Sequence, residues 1–445
     1  MFKSVKYILF VGGLGGLLYG IDFGVIAASM PYIRALRLYT DAQLGWIVGA
    51  VMLGGIVASA TAGVLCDRAG RKKTIVFATA LFLLAIPIVC CSGTSFAVML
   101  TGRILQGMSA GYMAVVMPMY LAEVLPADIR GRGTGIFQLF LGIGLVAAAL
   151  VGVLVASFLG AADAPAETVS AAAKSLAWRI NFWWTLAPVA LLLGCSLPLP
   201  ESPVWLNLQR PNLPTPHPST PTPQPSTSLL QRKYVLPFLL AVAVLSLNKL
   251  VGYGCIVPYS VLLFQKSGLS GTFGNGGDLA LKALNLAVTL LVVGLIDRKG
   301  RTFLMKVGTA GLAASLVVIG GIFFGLDRGW FAPSYAVGGL TLAAFLVMQF
   351  FYSFGPGVCV WLVLSELMPA RIRANGMSIA LFSNQFVAWG LASAFLPASN
   401  QVGFGVLFLV FAFFGLVYFL TVLAIPETNG KTLEEIEKMW ERKHA

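Results

Sequence analysis

The sequence predicts an all-α membrane protein, with twelve transmembrane helices in two pseudo-symmetric six-helix halves. Three observations carry this. Of the 445 residues, 58% are hydrophobic and only 11% charged, and mean hydropathy is +0.86. A soluble domain carries about 25% charged residues, so this chain lacks the polar side chains to cover a globule of its size. Second, apolar runs long enough to cross a bilayer of about 30 Å recur twelve times. Third, short motifs from the first half of the chain return in the second.

The runs lie near 7–30, 43–66, 74–92, 96–121, 134–159 and 180–199, then near 235–264, 279–297, 303–325, 333–365, 375–397 and 402–425. The first begins at Tyr7, and no small-residue cleavage site followed by a polar region closes it. It therefore reads as a retained span rather than a signal peptide. Between the sixth and seventh runs stands "RPNLPTPHPSTPTPQPSTS", 210–228. Its prolines and hydroxylated residues neither pack nor span, which marks a flexible linker. The expected organisation is an N-terminal half over 1–204, a linker over 205–232, a C-terminal half over 233–426 and a tail over 427–445. The six cysteines lie in or at the ends of apolar runs, where cysteine acts as a small hydrophobe. Both histidines, His217 and His444, lie in polar segments. No metal-ligand spacing, cofactor motif or nucleophile–base set appears, so neither a metal, a cofactor nor an enzyme activity is expected.

Charge sets the orientation. The formal charge of +13 comes from 30 basic and 17 acidic residues. With the N-terminus, the loops after even-numbered spans and the C-terminus on one side, that side holds 21 basic residues and the other 7, Lys282 and Arg328 among them. The positive-inside rule places both termini and the linker in the cytoplasm, in a plasma or inner membrane. The basic surplus is a topology signal rather than a nucleic-acid footprint, and the partner it implies is the lipid bilayer. Arg103 and Lys249 remain, both inside spans.

"GVLCDRAGRKKTI" (63–75) resembles "VVGLIDRKGRTFL" (292–304), "YLAEVLPADIRGRGTGI" (120–136) resembles "LVLSELMPARIRANGMSI" (362–379), and "LPESP" (199–203) resembles "IPETNG" (425–430). The offsets of 230, 243 and 226 residues agree, so two halves of like topology sit in one chain. Such a duplication implies a substrate site between the halves at mid-membrane. Together and in this order, the motifs resemble the sugar porter family of the major facilitator superfamily over nearly the whole chain, which implies the major facilitator fold. Two departures stand out. Similar proteins usually carry short cytoplasmic helices where this chain has its proline tract, and a basic residue where it has Val204. The resemblance assigns a conformational latch to the duplicated charges: Asp67, Arg68, Arg71, Glu123 and Arg130, repeated as Asp297, Arg298, Arg301, Glu366 and Arg373. Such groups pair across the halves in one state of the family's cycle and separate in the other. Each exposed pair is weak, so the network as a whole biases the equilibrium.

A sugar requires directional hydrogen bonds and a flat apolar face. Gln138 matches the family's fifth-helix glutamine, Asn285 its eighth-helix asparagine, Trp361 its tryptophan after the Gly-Pro-Gly kink and Asn384 its eleventh-helix asparagine, with Tyr352 just before that kink. The seventh span departs from the family. Its "NKLVGYGCIVPYS" places Asn248 and Lys249 where the family resembles two glutamines, Gly254 at an asparagine and Pro258 at a tyrosine, and keeps Tyr259.

Asp22 sits in "GGLLYGIDFGVI", with no other charge between Lys6 and Arg34. It reads as the only acid within a span's interior, and a buried unpaired carboxylate costs several kcal/mol. It aligns with the first-helix aspartate of proton-coupled sugar porters, and Arg103 with its fourth-helix arginine partner. A pair that parts and rejoins during transport changes proton affinity across the cycle. The resemblance therefore implies a secondary active transporter moving a sugar or polyol with protons by alternating access. Lys249 leaves a sugar acid or other carboxylate open as substrate. A facilitative uniporter and a transporter-like nutrient sensor are the remaining alternatives, the short tail arguing against a sensor.

Overall fold

The computed structural model describes residues 5–126, 129–164, 169–209, 232–367 and 373–425, and among these the regular secondary structure is entirely helical. In chain order the helices are α1 Val5–Ala35, α2 Asp41–Ala69, α3 Arg71–Cys90, α4 Phe96–Val124, α5 Arg130–Leu159, α6 Ala171–Trp183, α7 Leu186–Ser196, α8 Pro203–Gln209, α9 Arg232–Leu250, α10 Tyr253–Ser267, α11 Thr272–Lys299, α12 Arg301–Asp327, α13 Tyr335–Phe354, α14 Pro356–Leu367 and α15 Arg373–Leu423. Among the described residues, eleven helical segments are long and apolar enough to cross a membrane. The last, Ile379–Leu423, has 45 residues, a rise of about 68 Å at the α-helical pitch and so twice a hydrocarbon core. Its backbone leaves helical geometry at Gly403 (φ 84°, ψ 158°). It holds the eleventh and twelfth expected spans, joined without a loop, and the chain is an integral membrane protein.

Two spans are broken at mid-course, each for a local reason. Between α9 and α10 the backbone reaches φ 83° at Gly252, a region that costs glycine nothing and other residues a Cβ clash. Between α13 and α14, Gly355 precedes Pro356, whose missing N–H starts a new helix and cannot continue the old one. Two other spans start earlier than hydropathy indicates. α6 begins at Ala171, where Ser170 accepts from Ala173 N and Lys174 Nζ donates to Ala164 O at 2.7 Å. Arg179 lies over the Trp178 ring at 5.4 Å. α11 begins at Thr272 and carries Asp278 and Lys282 inside the helix.

The chain forms two compact units. The first comprises Met1–Pro218, Cys255–Leu286 and Ala392–Pro397. Its central seam is α1 against α5. A Cβ at Gly16 would strike Phe137 O, one at Gly20 would strike Leu141 O, and one at Gly144 would strike Leu17 O. Lipid supplies no hydrophobic drive between helices, so such backbone-to-backbone approach is how they hold together. At the loop after α1, Tyr39 donates to Gly93 O at 3.0 Å and ties that loop to the one after α3. Burial pushes the Tyr39 hydroxyl above its ordinary range, and its contact with Ser92 opposes this. The second unit comprises Ser219–Gly254, Ala287–Leu391 and Ala398–Ala445. Phe323 gathers Phe345, Phe404 and Phe408 around it, with ring centroids 6.4, 5.9 and 5.2 Å away.

Candidate transport site

Asp22 and Arg103 face each other from α1 and α4 in the first unit. Both are fully buried, at 0% and 1% exposure. Arg103 Nη1 lies 3.5 Å from Asp22 Oδ1, close enough for an ion pair. The same nitrogen donates to Gln106 Oε1 at 2.8 Å. Neither carboxylate oxygen of Asp22 accepts a hydrogen bond among the described residues. The guanidinium is thus shared unequally, nearer to the neutral amide than to the carboxylate. The Phe182 ring lies 5.7 Å from Arg103 Cζ. Sequence reasoning passed over Gln106, although "GRILQG" places it three residues after Arg103, on the same helical face.

Gln138 is exposed on α5, and Asn285 is half-buried on α11. Gly142, one turn beyond Gln138, lies against Leu286, the residue after Asn285. In the first unit the helices that carry these two amides therefore touch within a turn of them. The second unit gathers another set. Asn248 Nδ2 donates to Pro356 O at 3.2 Å, at the break before α14. Tyr352 Oη donates to Asn248 Oδ1 at 3.4 Å. The Tyr352 ring stacks on Tyr253, with centroids 3.6 Å apart and planes at 9°. Asn384 Nδ2 donates to Leu245 O at 2.7 Å. In this state the buried amides of Asn248 and Asn384 satisfy helix carbonyls, as polar residues in spans commonly do. Lys249 is half-buried in the last turn of α9. α9 stops at Leu250, ahead of the break at Gly252, so Lys249 falls in a last turn, where a basic residue complements the helix dipole. The side chain of Trp361 lies outside the described residues.

Among the duplicated cytoplasmic-motif charges, Arg71 is the centre. Its guanidinium donates to both oxygens of Glu123, at 3.0 Å through Nε and through Nη2, and to Asp67 at 3.3 Å. Glu201 Oε1 accepts from the backbone N–H groups of Arg71 and Lys72, at 2.9 and 3.0 Å, and so caps α3. Ser202 Oγ donates to Glu123. These pairs are all within the first unit. Asp67 and Arg68 are exposed, and Arg301 is half-buried. The side chains of Arg130, Asp297, Arg298, Glu366 and Arg373 lie outside the described residues.

Asp22 is not the only acid inside a span. Asp278 is 1% exposed within the crossing segment Thr272–Ile296, and Lys282, counted above as a loop charge, is 4% exposed one turn further on. Their Oδ2–Nζ distance is 2.6 Å. The hydropathy reading began this span after Asp278 because it treats two opposite charges as polar even when they neutralise each other.

Comparison with known proteins agrees with this architecture. The family model described as "Sugar (and other) transporter" matches residues 8–213 and 221–440. The glucose transporter GlcP of Staphylococcus epidermidis is 28% identical over 98% of this chain and 97% of its own. The galactose-proton symporter of Escherichia coli K12 is 26% identical over 97% and 93%, and the arabinose-proton symporter of Bacillus subtilis is 27% identical over 96% and 93%. Among solved structures, the inward open conformation of the xylose transporter XylE from E. coli superposes with a TM-score of 0.80 at 21% identity, covering 98% of this chain and 100% of that one.

Proposed function

The chain belongs to the sugar porter family of the major facilitator superfamily, and from this premise we propose that it moves a sugar or polyol with a proton by alternating access. One observation carries the proton: a fully buried aspartate, 3.5 Å from a fully buried arginine, accepts no hydrogen bond among the described residues. A carboxylate held this way stays charged only while the arginine stays near, so any motion that separates them makes proton binding part of the transport cycle. Gln106 supplies the other end of that motion, because it holds the guanidinium when Asp22 takes a proton. Relatives named as proton symporters support the reading. Gln138, Asn285, Asn248, Tyr352, Trp361 and Asn384 are the sugar-facing set, used when the site is loaded. Arg71, Glu123 and their duplicates form the cytoplasmic latch. The halves are 1–204 and 233–426, joined by the linker 205–232, with the tail 427–445 and both termini in the cytoplasm.

Lys249 favours a second reading of the substrate, a sugar acid or other carboxylate, because it stands where the family's sugar-binding glutamine does.

Uptake of D-glucose, D-galactose, L-arabinose and D-xylose into proteoliposomes tests the proposal. Accumulation is expected under an inward proton gradient and is lost with a protonophore. Asp22→Asn keeps exchange of bound sugar and loses accumulation. Accumulation by that variant would remove Asp22 from the coupling role.

A further inference from the structure

The pair Asp278–Lys282 is absent from every role assigned so far, although two charges at this depth are costly to keep. Asp278 and Lys282 lie one turn apart on α11, with side chains 2% and 4% exposed. Asp278 Oδ1 accepts from Ser260 Oγ on α10 at 2.6 Å. Both carboxylate oxygens are therefore engaged, and the pair is internally neutral. Yet Lys282 makes a further bond that neutrality does not require. Its Nζ donates to Gly24 O on α1 at 3.3 Å. Gly24 is two residues from Asp22, about 3 Å along the helix axis.

Other bonds close the same end of the first unit. Asp163, after α5, accepts from Gly271 N at 3.1 and 2.9 Å. Tyr259 Oη donates to Ala392 O at 3.3 Å, and Gly45 lies against Ser393. These partners are a backbone amide, backbone carbonyls, a tyrosine hydroxyl and a loop carboxylate. Lys282 contributes a buried cation, whose hydrogen bond is stronger than that of a neutral donor.

We propose that Lys282 is a positioning residue: its ammonium, aimed by Asp278, clamps α11 to α1 beside Asp22 and holds this end of the transporter closed. The clamp lies at the end that the charge rule places outside. Opening that end requires α11 to leave α1, and the ammonium then loses Gly24 O while keeping Asp278. The ion pair travels with α11 as a neutral unit, so opening exposes no uncompensated charge. Gate and coupling site share one helix, and the clamp weights how often Asp22 can meet external protons. The proposal rests on the alternating-access reading above, and its test needs no substrate, so a wrong substrate class would leave it standing.

The test is a distance measurement between spin labels on α5 and α11. Phe158 and Phe273 are 83% and 64% exposed near this end, and each is replaced by a labelled cysteine. Lys282→Met keeps the stem and removes the cation. The double variant Asp278→Asn/Lys282→Met also removes the lone buried acid, which guards against misfolding. Loss of a charge-assisted hydrogen bond should raise the long-distance population, relative to the short one, roughly tenfold or more in the double variant. Lys282→Arg, which keeps a donor cation, should stay near the parent distribution. If charge balance within α11 were the pair's only role, the double variant would show the parent distribution and Lys282→Met alone would melt early. That result overturns the clamp, as does an open population in Lys282→Arg equal to that of Lys282→Met.

Discussion

Asp22→Asn and Arg103→Gln, alone and together, measure how strongly the buried pair is coupled. Coulomb's law at the observed 3.5 Å, with an effective dielectric of about 20, gives roughly 5 kcal/mol of attraction. Desolvation of both groups offsets much of that in the intact protein, but it does not vanish when one partner is removed. In the Asp22→Asn variant, Arg103 keeps its charge at 2% side-chain exposure, and Gln106 Oε1 is its remaining close acceptor among the described residues. Leaving one member of a buried pair uncompensated costs about 3–5 kcal/mol, so each single variant should unfold that much more readily. The double variant holds two neutral amides near a third and should be no worse than either single. The expected coupling is at least about 2 kcal/mol, read from equilibrium unfolding of purified protein in mixed micelles. Additivity within about 0.5 kcal/mol would show that the two groups do not sense each other. The pairing, and with it the proton mechanism, would then lose its basis. The same proteins in liposomes separate stability from coupling, since the double variant should be stable yet unable to accumulate sugar.

Gly20→Ala places a methyl group against the Leu141 carbonyl; it should cost about 3 kcal/mol, at the upper end for overpacking because backbone cannot rotate away, visible as a lower melting temperature and reduced yield. Glu201→Gln weakens the cap on the Arg71 and Lys72 amides; a loss of about 0.5–2 kcal/mol is expected, with turnover changed and sugar affinity kept. Lys249→Gln should keep or improve binding of neutral hexoses and pentoses in a thermal-shift titration, and a carboxylate ligand lost by this variant, with no neutral sugar bound by either protein, would make the substrate an acid.

The spans were legible because lipid demands about 20 apolar residues at a time, and no other constraint writes so plainly. The Asp22–Arg103 partnership was legible through the family resemblance, which aligns both with a paired acid and base; the apolar runs alone left Arg103 and Lys249 both open as the base. Gly252 could be seen as a residue, but its placing of Lys249 in a last turn could not, because a helix end appears only when the helix is known to stop. Asp278 and Lys282 were hidden by the rule that found the helices: hydropathy adds side chains one at a time, and an i,i+4 pair cancels its charge in space. Lys174 and Arg179 moved the start of α6 out of sight in the same way, one by reaching the Ala164 carbonyl and the other by lying on an indole. Asn248 and Asn384 illustrate the opposite limit. Their alignment implies sugar contacts, while their amides here close onto Pro356 and Leu245 carbonyls, and nothing in a sequence distinguishes a resting bond from a working one.

The seam between α1 and α5 also bears on how such a protein changes. At Gly16, Gly20 and Gly144 a glycine of one helix meets main-chain atoms of the other, so the helix that carries Asp22 has little freedom to drift. The α9–α10 segment is the reverse: a glycine break flanked by side chains, in which Asn248, Lys249, Gly254 and Pro258 have all left the family pattern while the fold persists. Under the proposed function, selection rewrites what is carried at α9 and α10 without retuning Asp22 and Arg103. For engineering, libraries directed at α9 and α10 should yield new cargo on an unchanged motor, and libraries directed at the seam should yield mostly unfolded protein.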